Sequence, residues 1–263
     1  MTTPRVSVLM AVRDGVPWVK DAVASVLAQT LSDLELIVVD DGSVDATPAL
    51  LADVDDRRLL VERRSRAGLT CALNVALARA SAPLVARLDA DDIALPERLQ
   101  RQVAFLDAHP EVGVVGSAAR EIGDDGLEVR VVRPPEDHVA LRRALIRRNP
   151  MVHSTVTMRR GAVEAVGGYD ARFAVAQDYD LWMRLLAVTR LANLPQTLVV
   201  RRLLPGRVSV ARDTDRLRAE ARARWRAVRA GSYPAWCVVF AARPMLVAAI
   251  PGSLRRALRA ARG

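Results

Sequence analysis

A chain of 263 residues that is 51% hydrophobic and 26% charged can bury a large α/β core, which excludes an intrinsically disordered polypeptide. Its two cysteines, Cys71 and Cys237, lie far apart in apolar company, so neither a disulfide framework nor a cysteine zinc site is available and a reducing compartment fits. The net charge of +9 sits on a slightly acidic body and on residues 201–263, which hold 15 arginines against Asp213, Asp215 and Glu220; this excludes a uniformly basic nucleic-acid binder.

Met1 is followed by Thr2-Thr3-Pro4 and then by a strand pattern, without the charged, apolar and small-residue succession of a secretory leader. A cytoplasmic location is expected. Residues 6–11 form an apolar run of strand length, and 17–28 repeat apolar positions at helical spacing with Pro17 in the first turn, where a missing N–H costs nothing. Residues 34–39 form a second run, ending in Asp40-Asp41-Gly42-Ser43. Further strands are predicted over 59–62, 84–88 and 112–115, with helices over 69–80 and 96–108. This alternation predicts an α/β fold with a mainly parallel sheet flanked by helices, in which ligands sit beyond the carboxyl ends of the strands.

Past residue 118 the rhythm changes. Asp124-Asp125-Gly126 reads as a turn between extended segments, 136–147 as a charged helix, 155–158 as a strand and Gly167-Gly168-Tyr169-Asp170 as a loop. The helix predicted over 178–186 puts Leu181, Trp182, Leu185 and Leu186 on one face. Residues 212–230 predict an arginine-studded helix. Residues 233–250 are apolar but interrupted by Arg243 and Pro244, which argues against a membrane span and for an interfacial helix.

Two acidic clusters close predicted strands. Asp40-Asp41-Gly42-Ser43 has an ordinary alternative reading as a turn. Leu88-Asp89-Ala90-Asp91-Asp92 is more pointed, because three carboxylates within four residues repel one another unless a cation or donors compensate. Hard ions such as Mg²⁺ or Mn²⁺ take oxygen ligands, commonly one or two carboxylates plus phosphate oxygens, although an N-cap cluster for the following helix is the alternative.

Together the clusters and their surroundings resemble the inverting family 2 glycosyltransferases of GT-A fold, a Rossmann-like architecture. The resemblance rests, in order, on Val6–Ala11, Ala24–Thr30, Leu36–Thr47, Arg66-Ala67-Gly68-Leu69 with Asn74, Leu88–Gln102 and Ala176-Gln177-Asp178-Tyr179-Asp180-Leu181-Trp182. Asn149-Pro150-Met151-Val152-His153-Ser154-Thr155 is similar to the family as well, with His153 facing the cleft between donor and acceptor. The resemblance implies a nucleotide-diphosphate sugar donor, UDP- or dTDP-linked, a Mg²⁺ or Mn²⁺ cofactor, and a glycan or lipid-linked acceptor. Residues 1–118 would form the donor-binding half, 119–211 the acceptor-binding half of the same domain, and 212–263 a basic helical tail. It implies that Ala11 and Arg13 border the base pocket, that Asp41 contacts the nucleobase or ribose, that Asp89 supports the ribose and that Asp91 binds the metal. Asp178 would be the general base, with His153, Gln177, Asp180 and Trp182 on the acceptor side. A base there makes physical sense, because a sugar hydroxyl is a poor nucleophile until its proton is removed. Asp180 is the rival base, and either aspartate could serve as a helix cap. The chain departs from the family at Gln177, where an acidic residue is common, and at Arg13, where asparagine is common.

Arg224-Trp225 is similar to part of a motif of processive synthases, but Ala221 stands at its glutamine position and no transmembrane helix is predicted to follow, so a non-processive enzyme is expected. The tail has two readings: an amphipathic helix lying on an anionic membrane surface, the one expected here, or a helix packed on the domain with snorkelling arginines. Other classes fit less well. No glycine-rich basic loop of a nucleotidyltransferase and no Gly-x-Gly-x-x-Gly of a dehydrogenase follows the first strand. Retention of Asp91 and Asp178 together disfavours a degenerate sugar sensor.

Overall fold

The computed structural model describes residues 3–204 and 212–249. The first half is built from β1 (Val6–Val12), α1 (Val19–Leu27), β2 (Leu34–Asp40), α2 (Thr47–Ala52), β3 (Leu59–Arg63), α3 (Leu69–Arg79), β4 (Leu84–Arg87), β5 (Ile93–Ala94) and α4 (Arg98–Ala108). The second half continues with β6 (Val112–Ile122), β7 (Glu128–Val132), α5 (His138–Leu145), a single 3₁₀ turn at His153–Thr155, β8 (Thr157–Arg159), α6 (Arg160–Ala165), α7 (Gln177–Leu185) and β9 (Arg190–Arg202). Two tail helices follow, α8 (Asp213–Arg229) and α9 (Val238–Ala249), the latter after a 3₁₀ turn at Ala235–Cys237.

The strands form one sheet in the order β3-β2-β1-β4-β8-β6-β9-β5, with β7 paired to β6. β3, β2, β1 and β4 are parallel, as expected. Beyond β4 the sheet is mixed, because β8 runs antiparallel to both β4 and β6 while β6 and β9 are parallel. The continuous apolar runs of β1 and β2 follow from burial on both faces. Leu9, Ala11, Ile37 and Val39 enter one hydrophobic cluster with α3 and α7, whereas Val8, Met10, Leu36 and Val38 enter the other with α1 and α4. Each fully buried aliphatic side chain contributes about 1.5–3 kcal/mol, so the central strands anchor the carboxyl edge where the acids emerge.

α4 ties the two halves together through Arg98 and Gln102, one turn apart and both buried. Arg98 Nη2 donates to the Arg87 carbonyl at 2.7 Å, and Gln102 Nε2 donates to the Thr155 carbonyl at 2.6 Å and to the Val115 carbonyl at 3.2 Å. Two long polar side chains thus donate to carbonyls along the seam of the mixed sheet, where β4, β6 and the turn before β8 meet.

Several elements depart from expectation. β6 runs to Ile122, well past the strand expected over 112–115. α2, β5, α6 and β9 were not predicted. β9 contains Pro195, and its pairing with β6 slips in register between Ser117 and Ala118, which takes the proline out of the hydrogen-bonding ladder. α9 continues through Pro244. No helix among the described residues is long and apolar enough to cross a membrane. Residues 250–263 of the expected tail lie outside the described residues.

Candidate functional site

The carboxyl ends of β2, β1 and β4 lie side by side, which brings Asp40-Asp41, Ala11 and Asp89 to one edge. Asp40 Oδ1 accepts the Ser43 amide at 2.8 Å, closing the turn that the sequence proposes. Asp41 reaches across instead: its two oxygens accept the amides of Ala67 at 2.6 Å and Gly68 at 2.8 Å, fixing the loop before α3. Between them Gly42 adopts φ 76°, and a Cβ there would meet the Arg66 amide nitrogen at 3.0 Å. The two loops approach so closely that only glycine fits without strain.

After β4 the chain turns through Asp89, Asp91 and Asp92, which can bring one carboxylate oxygen each within 4.8 Å of one another. Arg87, fully buried, donates to Asp89 Oδ1, and the Ser154 hydroxyl donates to Asp89 Oδ2 at 2.7 Å. Desolvation works against ionisation of Asp89, but the Arg87 guanidinium, His153 and the Ser154 hydrogen bond outweigh it and set its pKa at about 2. Among the described residues Asp91 has no such partner: burial and then the Asp89 charge push it up to about 6. Asp92, raised well above the ordinary range by burial and by both neighbours, spends Oδ1 on the Arg202 amide at 3.0 Å. No donor among the described residues reaches its Oδ2. Three acids this close, two of them held against ionisation and one with an orphaned oxygen, fit the oxygen-ligand chemistry of Mg²⁺ or Mn²⁺.

Asp89 opens into a cleft of about 580 Å³ that Asp178 also lines. Asp178 lies in the first turn of α7, behind Ala176, which holds a left-handed conformation at φ 54°. Its Oδ2 accepts the Asn149 side-chain amide at 2.7 Å. Burial raises the Asp178 carboxyl, and its backbone and Asn149 hydrogen bonds offset only part of that, with Asp89 adding to the rise. His153 lines the same cleft, 2.8 Å from the Tyr169 hydroxyl through Nε2. Burial, then the charge of Arg87, lowers it to about 3, so this imidazole stays neutral at physiological pH.

The other expected residues fall in different places. Arg13 stands beyond β1 with Asp14 3.6 Å away, and Ala11 is buried at the strand end. Gln177 is buried at the start of α7. Asp180, the rival base, is turned away from reactivity: Arg184 holds one oxygen at 2.8 Å and Arg226 the other at 3.0 Å. Trp182 is fully buried, with its ring centroid 6.0 Å from that of His153, and backs the cleft wall rather than lining it.

Several cleft residues were not anticipated. Glu121, buried at the end of β6, pairs with Arg130 and Arg201 at 2.6 Å each, and all three line the cleft with Arg133, Arg148 and Arg216. Arg216 and Glu220 belong to α8, so the tail completes the wall. No local signal marks them, apart from the acid ending the apolar run of β6. α8 packs against α7 and buries Leu217, Ala221, Ala223, Arg224 and Ala227. Arg224 Nε donates to the Tyr179 hydroxyl at 2.8 Å, and Arg222, Trp225 and Arg229 face outward. The packed reading of the tail thus holds for this helix.

Asp89, one of the strand-edge acidic triad, thus shares one α/β cleft with the helix-borne Asp178. Residues 7–167, more than half of the chain, match glycosyl transferase family 2, and the chain belongs to that family. It is 32% identical over 189 residues to the putative glycosyltransferase EpsE of Bacillus subtilis, covering 69% of this chain and 66% of that protein. It is 34% identical over 175 residues to the amylovoran biosynthesis glycosyltransferase AmsE of Erwinia amylovora, covering 65% of each. The match thus spans just under two thirds of these relatives. Among solved structures, S. aureus TarS (residues 1–349, in complex with UDP-GlcNAc) aligns with a TM-score of 0.68 at 21% identity, over 83% of this chain and 66% of that one. The mannosyltransferase PcManGT from Pyrobaculum calidifontis, in complex with GDP-Man and Mn²⁺, aligns with a TM-score of 0.68 at 23% identity, over 100% of this chain and 80% of that one. The fold is therefore that of GT-A-type glycosyltransferases, with C-terminal helices added.

Proposed function

We propose that the chain is a metal-dependent, inverting and non-processive glycosyltransferase. It moves one sugar from a nucleotide-diphosphate donor, UDP- or dTDP-linked, to a hydroxyl of a glycan or lipid-linked acceptor in cell-surface polysaccharide synthesis. The observation that carries this reading is the opening of Asp89 and Asp178 into one cleft, with Asp91 and Asp92 clustered on Asp89. UDP-GlcNAc in TarS, GDP-Man and Mn²⁺ in PcManGT, and the amylovoran pathway of AmsE support the donor class and the biosynthetic setting.

In this reading residues 1–118 hold the donor and 119–211 the acceptor. Ala11 and Arg13 border the base, Asp41 meets the nucleobase or ribose through lone pairs left by its two amide contacts, and Asp89 supports the ribose. Asp91 is the principal ligand for Mg²⁺ or Mn²⁺. When bound, the ion neutralises the diphosphate charge that grows as the sugar bond breaks. Asp178 accepts the acceptor hydroxyl's proton while that oxygen attacks the anomeric carbon, and a single displacement from the opposite face inverts the configuration. Asn149 keeps the Asp178 carboxylate aimed, and neutral His153, with Gln177, forms the acceptor side. Asp180 and Trp182 act from behind by fixing α7. Of the tail over 212–263, α8 packs on the domain through its buried face, and its outward arginines meet an anionic membrane surface at the cytoplasmic face.

Calorimetry of nucleotide-sugar binding in Mn²⁺ tests the metal assignment: Asp91→Ala should abolish metal-dependent binding, and unchanged binding removes Asp91 from the site. Asp178→Asn should keep donor affinity while transfer falls about 10²–10⁴-fold. Full transfer in that variant would move the base elsewhere.

A further inference from the structure

α5, α8 and α9 enclose a groove of about 760 Å³ that no donor-binding role uses. Arg143, Arg147, Arg148, Arg224 and Arg243 wall it; Arg224 is engaged by Tyr179 and Glu220, whereas among the described residues no ion pair or hydrogen bond engages the side chains of Arg143, Arg148 and Arg243. Its one acid, Glu220, is already held by Arg216 and, at 3.1 Å, by Arg224. The carbonyl end of α5 favours cations at 147 and 148, but it does not account for Arg243, which arrives from α9. With Arg224 matched to Glu220, the four other guanidiniums leave a surplus positive charge that an anion would relieve.

The groove has a neighbour on each side. Arg148 and Glu220 also line the catalytic cleft. Arg143 and Arg147 also border a trough of about 500 Å³, edged by His138 and Arg142 and otherwise mostly apolar, with Ile146, Tyr233, Trp236 and Phe240 among its side chains. On α9, Val239, Met245 and Leu246 stand exposed, Leu246 at 71%. Cleft, cationic groove and apolar trough therefore follow one another across the molecule.

We propose that this succession is the binding site of a lipid-phosphate acceptor: the sugar hydroxyl enters the cleft, the phosphate or diphosphate sits among Arg143, Arg147, Arg148 and Arg243, and the hydrocarbon runs along the trough onto α9. Its acceptor role rests on the transferase reading above. A free glycan would leave both the cationic and the apolar surfaces unmatched. The complementarity is threefold, polar, anionic and apolar in that order, and a chain-linked sugar phosphate supplies all three.

The test uses the full chain in vesicle flotation, with neutral phosphatidylcholine vesicles carrying a polyprenyl diphosphate, or phosphatidylglycerol at matched charge. Association with the polyprenyl diphosphate should be about tenfold stronger than with phosphatidylglycerol. Arg143→Glu combined with Arg243→Glu should weaken it about tenfold or more, since each surface arginine is worth a few-fold. The Arg143→Lys, Arg243→Lys pair should retain most of it, and unchanged melting temperatures show that both variants fold. Equal flotation with phosphatidylglycerol, no flotation with either lipid, or undiminished binding by the glutamate pair would overturn the proposal. Competition by inorganic pyrophosphate as strong as by the lipid would overturn its apolar half. Donor binding, measured separately by calorimetry, is expected to be unchanged in the variants. Its absence in the parent chain would sink the transferase reading while leaving specific lipid binding as a property of this groove.

Discussion

Arg87 sits fully buried beneath the acidic turn, donating to Asp89 and at 3.4 Å to the Leu9 carbonyl. A buried charge stripped of its partner costs several kcal/mol, whereas the matched pair is close to neutral. Arg87→Met should therefore destabilise the chain by about 3 kcal/mol in urea unfolding, and a loss under 1 kcal/mol would show that the pair is dispensable. Asp178 faces the opposite demand, since burial raises its carboxyl while the Asn149 amide favours the ionised form. A base works deprotonated, so activity should rise with pH through a limb placed above the usual carboxylate range. Asn149→Ala removes a donor to the charged form and should move that limb upward by about one pH unit in kcat/KM. A limb that stays put, or moves down, would separate Asn149 from the base.

The helix α7 is fixed from outside as much as by its own sequence. Ala176 enters it with φ 54°, a conformation that costs an L-residue roughly 1 kcal/mol and glycine almost nothing. Ala176→Gly should leave stability unchanged or raise it by roughly 0.5 kcal/mol, measured by chemical denaturation, because relief of strain and the extra freedom of the unfolded glycine oppose each other. The tail helix supplies the second constraint, with Arg226 joining Asp170 at 2.8 Å and Asp180 at 3.0 Å, and Arg224 joining Tyr179. Arg226→Met should cost about 1–2 kcal/mol, less than removing a sole partner, since Arg184 still holds Asp180. These contacts make α8 part of the catalytic framework rather than an appendage, and a truncation before residue 212 should unfold α7 along with its aspartate.

For the molecule as a whole, Asp91 and Asp92 make stability depend on pH in a direction opposite to salt-bridged carboxylates such as Asp89. Asp91, raised to about 6, favours its protonated form in the folded chain, so its contribution is present below about pH 4 and is lost as pH rises through 6. Asp170, held well below the usual range chiefly by Arg172, works the other way, adding stability that is lost only as pH falls. Subtracting an Asp91→Asn variant isolates the first effect. Relative to that variant, the metal-free chain should lose on the order of 2 kcal/mol between pH 4 and pH 7, after allowance for partial exposure. Mn²⁺ should restore the parent at pH 7 and leave the variant unchanged, as ligand binding to the folded state requires. A parent chain whose melting temperature ignores Mn²⁺ would argue against the cation.

The parts of this protein legible from sequence are those whose signal is local. β1 and β2 read as strands because burial on both faces makes all but Ser7, Glu35 and the closing Asp40 apolar, and the acids that close β2 and β4 emerge at the carboxyl edge wherever those strands pack. β9 was hidden because Pro195 and its polar neighbours break the apolar pattern, and only the register slip against β6 makes room for them. Nor does sequence say that Asp180 is consumed by two arginines, that Trp182 lies behind the wall, or that Arg148, Arg201, Arg216 and Glu121 meet in one cleft. Apart from the Asp180–Arg184 pair, four residues apart on α7, those outcomes depend on residues far apart in the chain. Their contacts are decided by how helices stack on a shared sheet, which no local pattern of apolar and charged side chains encodes.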